Sequence, residues 1–125
     1  MKNILISLIL ILSPLPSFGV DKVTTILFIG DSLTEGYGVA KENSYVSLIE
    51  NHLIKSGKKV KILNGSVSGS TTSSGMKRLK WFLKAKPDIL FLELGANDGL
   101  RGVKIDISKN NLDKIATYKN YHQNV

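Results

Sequence analysis

The sequence predicts an α/β protein built on a parallel sheet, and three observations carry that prediction. Residues 24–29, 60–63 and 89–94 are short, apolar, β-prone runs. They alternate little between apolar and polar, as strands covered on both faces do. Between and after them lie segments whose apolar residues recur at spacings of three and four, the period of a half-buried helix. Strand and helix therefore alternate three times over, which argues for parallel strands joined by right-handed crossovers.

The 125-residue chain has room for one domain. Its first residues read differently from the rest. Met1-Lys2-Asn3 is a short, positively charged start, and Ile4 to Leu12 is apolar apart from Ser7. Pro14 and Pro16 follow, and Ser17-Phe18-Gly19 places small residues at the −3 and −1 positions of a cleavage site. That is the layout of a secretory signal peptide over residues 1–19, cut after Gly19. The apolar stretch falls short of the roughly 20 residues that a permanent membrane-spanning helix needs. The domain proper is then 20–125, in a periplasmic or secreted protein without a permanent membrane anchor.

Within the domain, Thr24 to Ile29 forms the first strand and stops at Gly30. Asn43 or Ser44 caps a helix running to about Lys55, with Tyr45, Leu48, Ile49, His52 and Leu53 on its apolar face. Gly57 ends it. Val60 to Leu63 is the second strand, and Asn64 to Gly75 is a loop rich in Gly, Ser and Thr. A helix over 73–84 follows, with Met76, Leu79 and Leu83 inward. After Pro87-Asp88 comes the third strand, Ile89 to Leu94, and a last helix over 108–119 turns Leu112 and Ile115 inward.

Composition excludes several chemistries. Cysteine is absent, so disulfides, thiolate zinc sites and cysteine nucleophiles are ruled out. Two histidines, His52 and His122, cannot by themselves build a metal site. The net charge of +7 comes from scattered lysines. A nucleic-acid stripe is denser and interleaved with aromatics, so a solvated basic face is expected and no nucleic-acid partner.

In parallel sheets, functional groups collect at the carboxyl ends of the strands. The first strand ends in Gly30-Asp31-Ser32, where the serine can point into a site or serve as a helix cap. The second ends in a loop holding Gly69, which can offer backbone N–H groups or act as a flexible link. The third ends in Gly95-Ala96-Asn97-Asp98-Gly99, where Asn97 can donate an amide hydrogen or form a turn of positive φ. Together the three supply a nucleophile and three oxyanion donors: the Ser32 and Gly69 N–H groups and the Asn97 side chain. No Gly-x-Ser-x-Gly elbow of an α/β-hydrolase occurs.

The blocks Gly30-Asp-Ser-Leu-Thr34, Ser66-Val-Ser-Gly-Ser-Thr-Thr72 and Gly95-Ala-Asn-Asp-Gly-Leu-Arg-Gly102 resemble those of the GDSL/SGNH hydrolase family. The likeness is to its periplasmic arylesterase, acyl-CoA thioesterase I and lysophospholipase L1 branch, over about residues 24–120. It implies a three-layer α/β/α sandwich with a flavodoxin-like parallel sheet of five strands, of which the last are expected to be lacking here. It implies Ser32 as nucleophile, Ser32, Gly69 and Asn97 as oxyanion hole, and Asp31, Gly30 and Asp98 in support. It implies no metal or cofactor, and a small acyl ester or thioester as substrate. Tyr37 and Leu100 follow the catalytic blocks and are candidates to line the acyl site.

One family block has no counterpart. The resemblance implies an Asp-x-x-His pair beyond two further strands, but His122 is preceded three residues earlier by Lys119, and His52 lies mid-helix and is expected to be partly buried. No general base is assigned, and turnover is expected to be impaired. A non-catalytic relative that binds acyl or glycan ligands is the alternative; a receiver-type signalling domain rests only on Asp31 and Asp98. The third strand is expected to form an exposed, aggregation-prone edge.

Overall fold

In the computed structural model the described residues are 22–123, so the expected leader at 1–19 and its cut after Gly19 lie outside them. The elements run β1 (Thr24–Gly30), α1 (Ser32–Glu35), a 3-10 turn (Lys41–Asn43), α2 (Tyr45–Lys55), β2 (Val60–Asn64) and α3 (Thr72–Phe82). A second 3-10 turn (Leu83–Ala85), β3 (Ile89–Glu93), α4 (Ala96–Leu100) and α5 (Ile105–Gln123) complete them. The three strands form one parallel sheet in the order β2-β1-β3. Ile26 lies opposite Ile62 and Ile89, and Gly30 opposite Glu93.

The period of two along β1 sorts the helices into layers. Leu27 and Ile29 are fully buried on one face, where they join Leu79 of α3 and Ile115 of α5 in the core. Leu63, Leu90, Leu92 and Phe82 pack around them. Phe28 points the other way, with its ring edge-on to Tyr45 of α2 at 6.3 Å and tilted against Phe91 at 4.8 Å. Helices thus cover both faces, as the predicted sandwich requires. Among the described strands β3 is an edge, and Ile89 and Phe91 stay 49% and 43% exposed on the α2 side.

Some element details differ from expectation. Ser44 caps α2 by accepting from the Ser47 N–H at 3.3 Å. The helix buries Val46, with Tyr45, Ile49 and Leu53 beside it, while Leu48 and His52 are exposed. Two residues along a helix is a rotation of about 200°, so Leu48 cannot share the face of Val46. The expectation of a partly buried His52 fails for the same reason. The helix expected over 73–84 closes as a 3-10 turn, and α5 begins three residues before Ser108 and carries His122 in its last turn. α1 and α4 were not foreseen, because single turns inside polar, glycine-flanked segments show no apolar stripe.

A buried carboxylate locks the helices at the carboxyl edge. Asp98, 2% exposed, accepts hydrogen bonds from the Thr72 N–H at 2.8 Å, the Thr72 hydroxyl at 2.6 Å and the Ser108 hydroxyl at 3.0 Å. It thereby joins α4 to the first turns of α3 and α5, and Asn111 adds a bond to the Thr72 hydroxyl. Burial opposes the charge, but the hydrogen bonds together outweigh it and hold the carboxyl below its usual pKa.

Two stability predictions follow from this packing. Leu79→Ala should cost about 2–5 kcal/mol in urea unfolding, the range for a leucine truncated inside a closed core. Asp98→Asn should cost about 2 kcal/mol near neutral pH, because a charged acceptor is replaced by an amide whose N–H₂ faces donors. A depressed native pKa contributes stability that is present above the unfolded value near ~3.9 and lost as pH falls through the native value. Unfolding measured against pH should therefore show the gap between the two proteins closing below about pH 4.

Candidate active site

The crevice follows from the strand order. From β1 the chain goes to one neighbour and then crosses back to the other, so the sheet changes direction between β1 and β3. Ligands of open α/β sheets bind outside the carboxyl ends of the strands at such a switch point. Ser32 follows β1 and Asn97 follows β3, which sets the two on either side of it.

The first loop is tight. A side chain at Gly30 would put its Cβ 2.3 Å from Thr34 Oγ1 and 3.0 Å from the Glu93 carbonyl, so a glycine is needed there. Asp31, 1% exposed, caps α1 by accepting from the Leu33 N–H at 3.0 Å. Ser32 is the first residue of α1 and is partly exposed. Among the described residues its hydroxyl has no hydrogen-bond partner.

The second loop is pinned at both ends. Gly65 lies against the Phe82 ring and Ile29, where a Cβ would fall at 2.5 and 2.9 Å. Asn64 donates to the Thr34 carbonyl at 2.8 Å and accepts from the Ser66 N–H at 3.1 Å. Glu35 of α1 accepts from the Ser68 N–H at 2.7 Å and from the Ser68 hydroxyl. Gly69 is exposed with φ +75°, a left-handed conformation suited to glycine. Its carbonyl accepts from Arg101 at 3.0 Å.

The third loop joins the other two. The Asn97 side-chain amide donates to the Ser70 carbonyl at 3.0 Å and to Asp31 at 3.4 Å. One side chain thus touches the residue before Ser32 and the residue after Gly69. The positive φ in this segment falls on Gly95, at 131°, while Asn97 and Asp98 are helical. A turn of positive φ at Asn97 is therefore excluded. Asp98 supports the site from behind, through α3 and α5, as described above.

A second network beneath Ser32 escaped the sequence reading. Thr34, fully buried, donates its hydroxyl to Glu93 at 2.8 Å. That hydroxyl has one proton, so the Tyr45 hydroxyl at 2.7 Å must donate to it. Burial raises the Tyr45 pKa, and the Glu93 and Asp31 charges add to the rise against the Thr34 bond. The available signal was Glu93 itself, a lone charge in an apolar strand.

Tyr37 and Leu100 are 78% and 84% exposed, as is Leu33 at 69% beside Ser32. None is packed into the site. His52 faces solvent from α2. A cleft of about 440 Å³ lined by Lys22, Ile26, Leu53, Lys59 and Ile89 lies at the opposite, amino-terminal edge of the sheet, away from Ser32.

Comparison with known proteins places the chain in a family. Residues 28–123 match the GDSL-like Lipase/Acylhydrolase family. The chain is 44% identical over 91 residues to an arylesterase of Vibrio mimicus, covering 72% of this chain and 46% of that protein. It is 34% identical over 100 residues to thioesterase 1/protease 1/lysophospholipase L1 of Escherichia coli, covering 79% and 47%. The crystal structure of AlinE4, an SGNH-hydrolase family esterase, superimposes with a TM-score of 0.74 at 36% identity, covering 84% of this chain and 57% of that one. The chain spans about half the length of the curated relatives it matches. With the family match running through all three strand-end loops, the chain belongs to the GDSL-like lipase/acylhydrolase family.

Proposed function

We propose that this chain supplies the nucleophile and oxyanion-binding part of a serine hydrolase of acyl esters or thioesters. The observation that carries the reading is the Asn97 amide, which spans from Asp31 beside Ser32 to Ser70 beside Gly69. Ser32 is the nucleophile. Its own N–H lies at the start of α1, where helix amides lack intrahelical acceptors. The Gly69 N–H and the Asn97 side chain are the other two donors. The Asn97 hydrogen held by Asp31 at 3.4 Å is the weaker bound, so it is the one that turns to the oxyanion.

In the reaction a base takes the proton from Ser32 Oγ while Oγ bonds to the acyl carbon. The carbonyl oxygen becomes the oxyanion held by the three donors, and the leaving alkoxide or thiolate departs with that proton. Water then splits the acyl-serine. No imidazole or carboxylate is bonded to Ser32 among the described residues, so turnover needs a base from outside them. The exposed Leu33, Tyr37 and Leu100 offer apolar surface for an acyl group. The layout of residues 1–19 supports export through a leader cut after Gly19, and a periplasmic or secreted site of action.

A fluorophosphonate probe on the full chain tests the assignment. Mass spectrometry should find the adduct on Ser32, and Ser32→Ala should abolish it. Asn97→Ala should slow labelling by about 10²–10³-fold, the usual cost of one oxyanion donor. Hydrolysis of p-nitrophenyl butyrate should be slow, since removing the base of a serine hydrolase costs on the order of 10⁶ in turnover. Labelling of Ser32→Ala equal to that of the unchanged chain would leave a non-catalytic acyl-binding relative as the better reading.

A further inference from the structure

We propose that the outward face of α3 is a contact surface for anionic phospholipid bilayers. The inference is independent of the chemistry at Ser32.

The core fixes which side of α3 faces out. Gly75 and Leu79 are buried and Met76 packs on the core, so Lys77, Lys80 and Trp81 are left on the far side, and exposed Lys84 follows in the 3-10 turn that closes the helix. Spacings of three and four place the first three on one face, and Lys84 joins them through its contact with Trp81. Trp81 is the chain's one tryptophan and is 67% exposed. The Lys84 ammonium stands 4.7 Å above the indole centroid, and Lys80 stands 5.3 Å above the Tyr118 ring. With Arg78 these residues line a shallow groove of about 500 Å³. Residues 72–86 contain five cations and no Asp or Glu.

Charge complementarity selects an anionic partner, and the indole narrows the choice. An amphipathic ring with an N–H at one end partitions to the headgroup level of a bilayer. Lysine stems lie along apolar surface while their ammonium groups reach phosphates. A single exposed aromatic cannot stack successive bases, as single-stranded nucleic acid requires. No helix among the described residues is long and apolar enough to cross a membrane, so the contact is peripheral. A hydrolase held this way would meet amphiphilic esters where they concentrate.

Because Trp81 is the sole tryptophan, its emission reports this face and no other. The full chain is titrated with vesicles of phosphatidylcholine with and without phosphatidylglycerol. The emission should shift to the blue only with the anionic vesicles, be quenched by bromine-labelled acyl chains, and return at high salt. The triple variant Lys77→Gln, Lys80→Gln, Lys84→Gln keeps helix-forming residues and should bind about a hundredfold more weakly, at about fivefold per lysine. Equal binding to neutral vesicles would overturn the proposal. So would sedimentation with vesicles while Trp81 emission is unchanged, because another segment would then be responsible. Tighter binding to duplex DNA than to the anionic vesicles would assign the face to nucleic acid instead.

Discussion

β1 pairs in parallel along both edges, with β2 on one side and β3 on the other, and all three strands therefore leave the sheet at the same end. β1 is also covered on both faces. Leu27 and Ile29 face α3 and α5, and Phe28 faces α2. If β1 were an edge strand, Ser32 would stand at the rim with a neighbour on one side. As the middle strand it delivers Ser32 between the loop holding Gly69 and the loop holding Asn97. The register matters as much as the order. Gly30 opposite Glu93 brings Thr34 within reach of the Glu93 carboxylate, and the missing Cβ at Gly30 leaves room for it.

Four carboxylates then hold the loops that β1 brings together. Asp31, Glu35, Glu93 and Asp98 each accept from a backbone N–H or a side-chain donor contributed by a neighbouring segment. Hydrogen bonds to a charged acceptor contribute about 1.5–3 kcal/mol each, roughly twice a neutral pair. They are also directional, which apolar contacts between glycine-rich loops cannot be. The same carboxylates cost desolvation where they are buried, and the donors offset it. Ser32 stands apart from this arrangement. Its neighbours Asp31 and Thr34 are bonded into the frame, while its hydroxyl has no partner among the described residues and the residue is partly exposed.

How much of this the sequence made legible depends on the range of the interaction. The strands were legible because each is a continuous apolar run, and the longer helices because each has a stripe. The placement of Ser32, Gly69 and Asn97 at the carboxyl end of the sheet was legible because each lies in the segment after a strand. The face of α2 was not legible in full because Val46 and Leu48 are equally apolar and the helical spacing alone does not choose between them. The Tyr45–Thr34–Glu93 chain was not legible at all. It joins three elements 11 and 59 residues apart in sequence, and it exists only in the register that sets Gly30 beside Glu93. Asp98 stood out in its glycine-flanked block, but its partners Thr72 and Ser108 emerge only once α3 and α5 stand side by side.

α3 links these two kinds of information. Its inner side comes so close to the core that a Cβ at Gly75 would fall 2.7 Å from Leu94 and 2.8 Å from Ile115. Its first residue is clamped by Asp98, next to Asn97 in the chain. Its outer side carries Trp81 and the lysines. Nine residues of helix separate Thr72 from Trp81, about 14 Å at 1.5 Å per residue. An element packed this closely moves as a rigid body or not at all. The Asp98 clamp at its first residue lies one residue from the amide that bridges the Ser32 and Gly69 loops. The lysine-bearing surface and the serine crevice are distinct in chemistry, but they are mechanically the two ends of one helix.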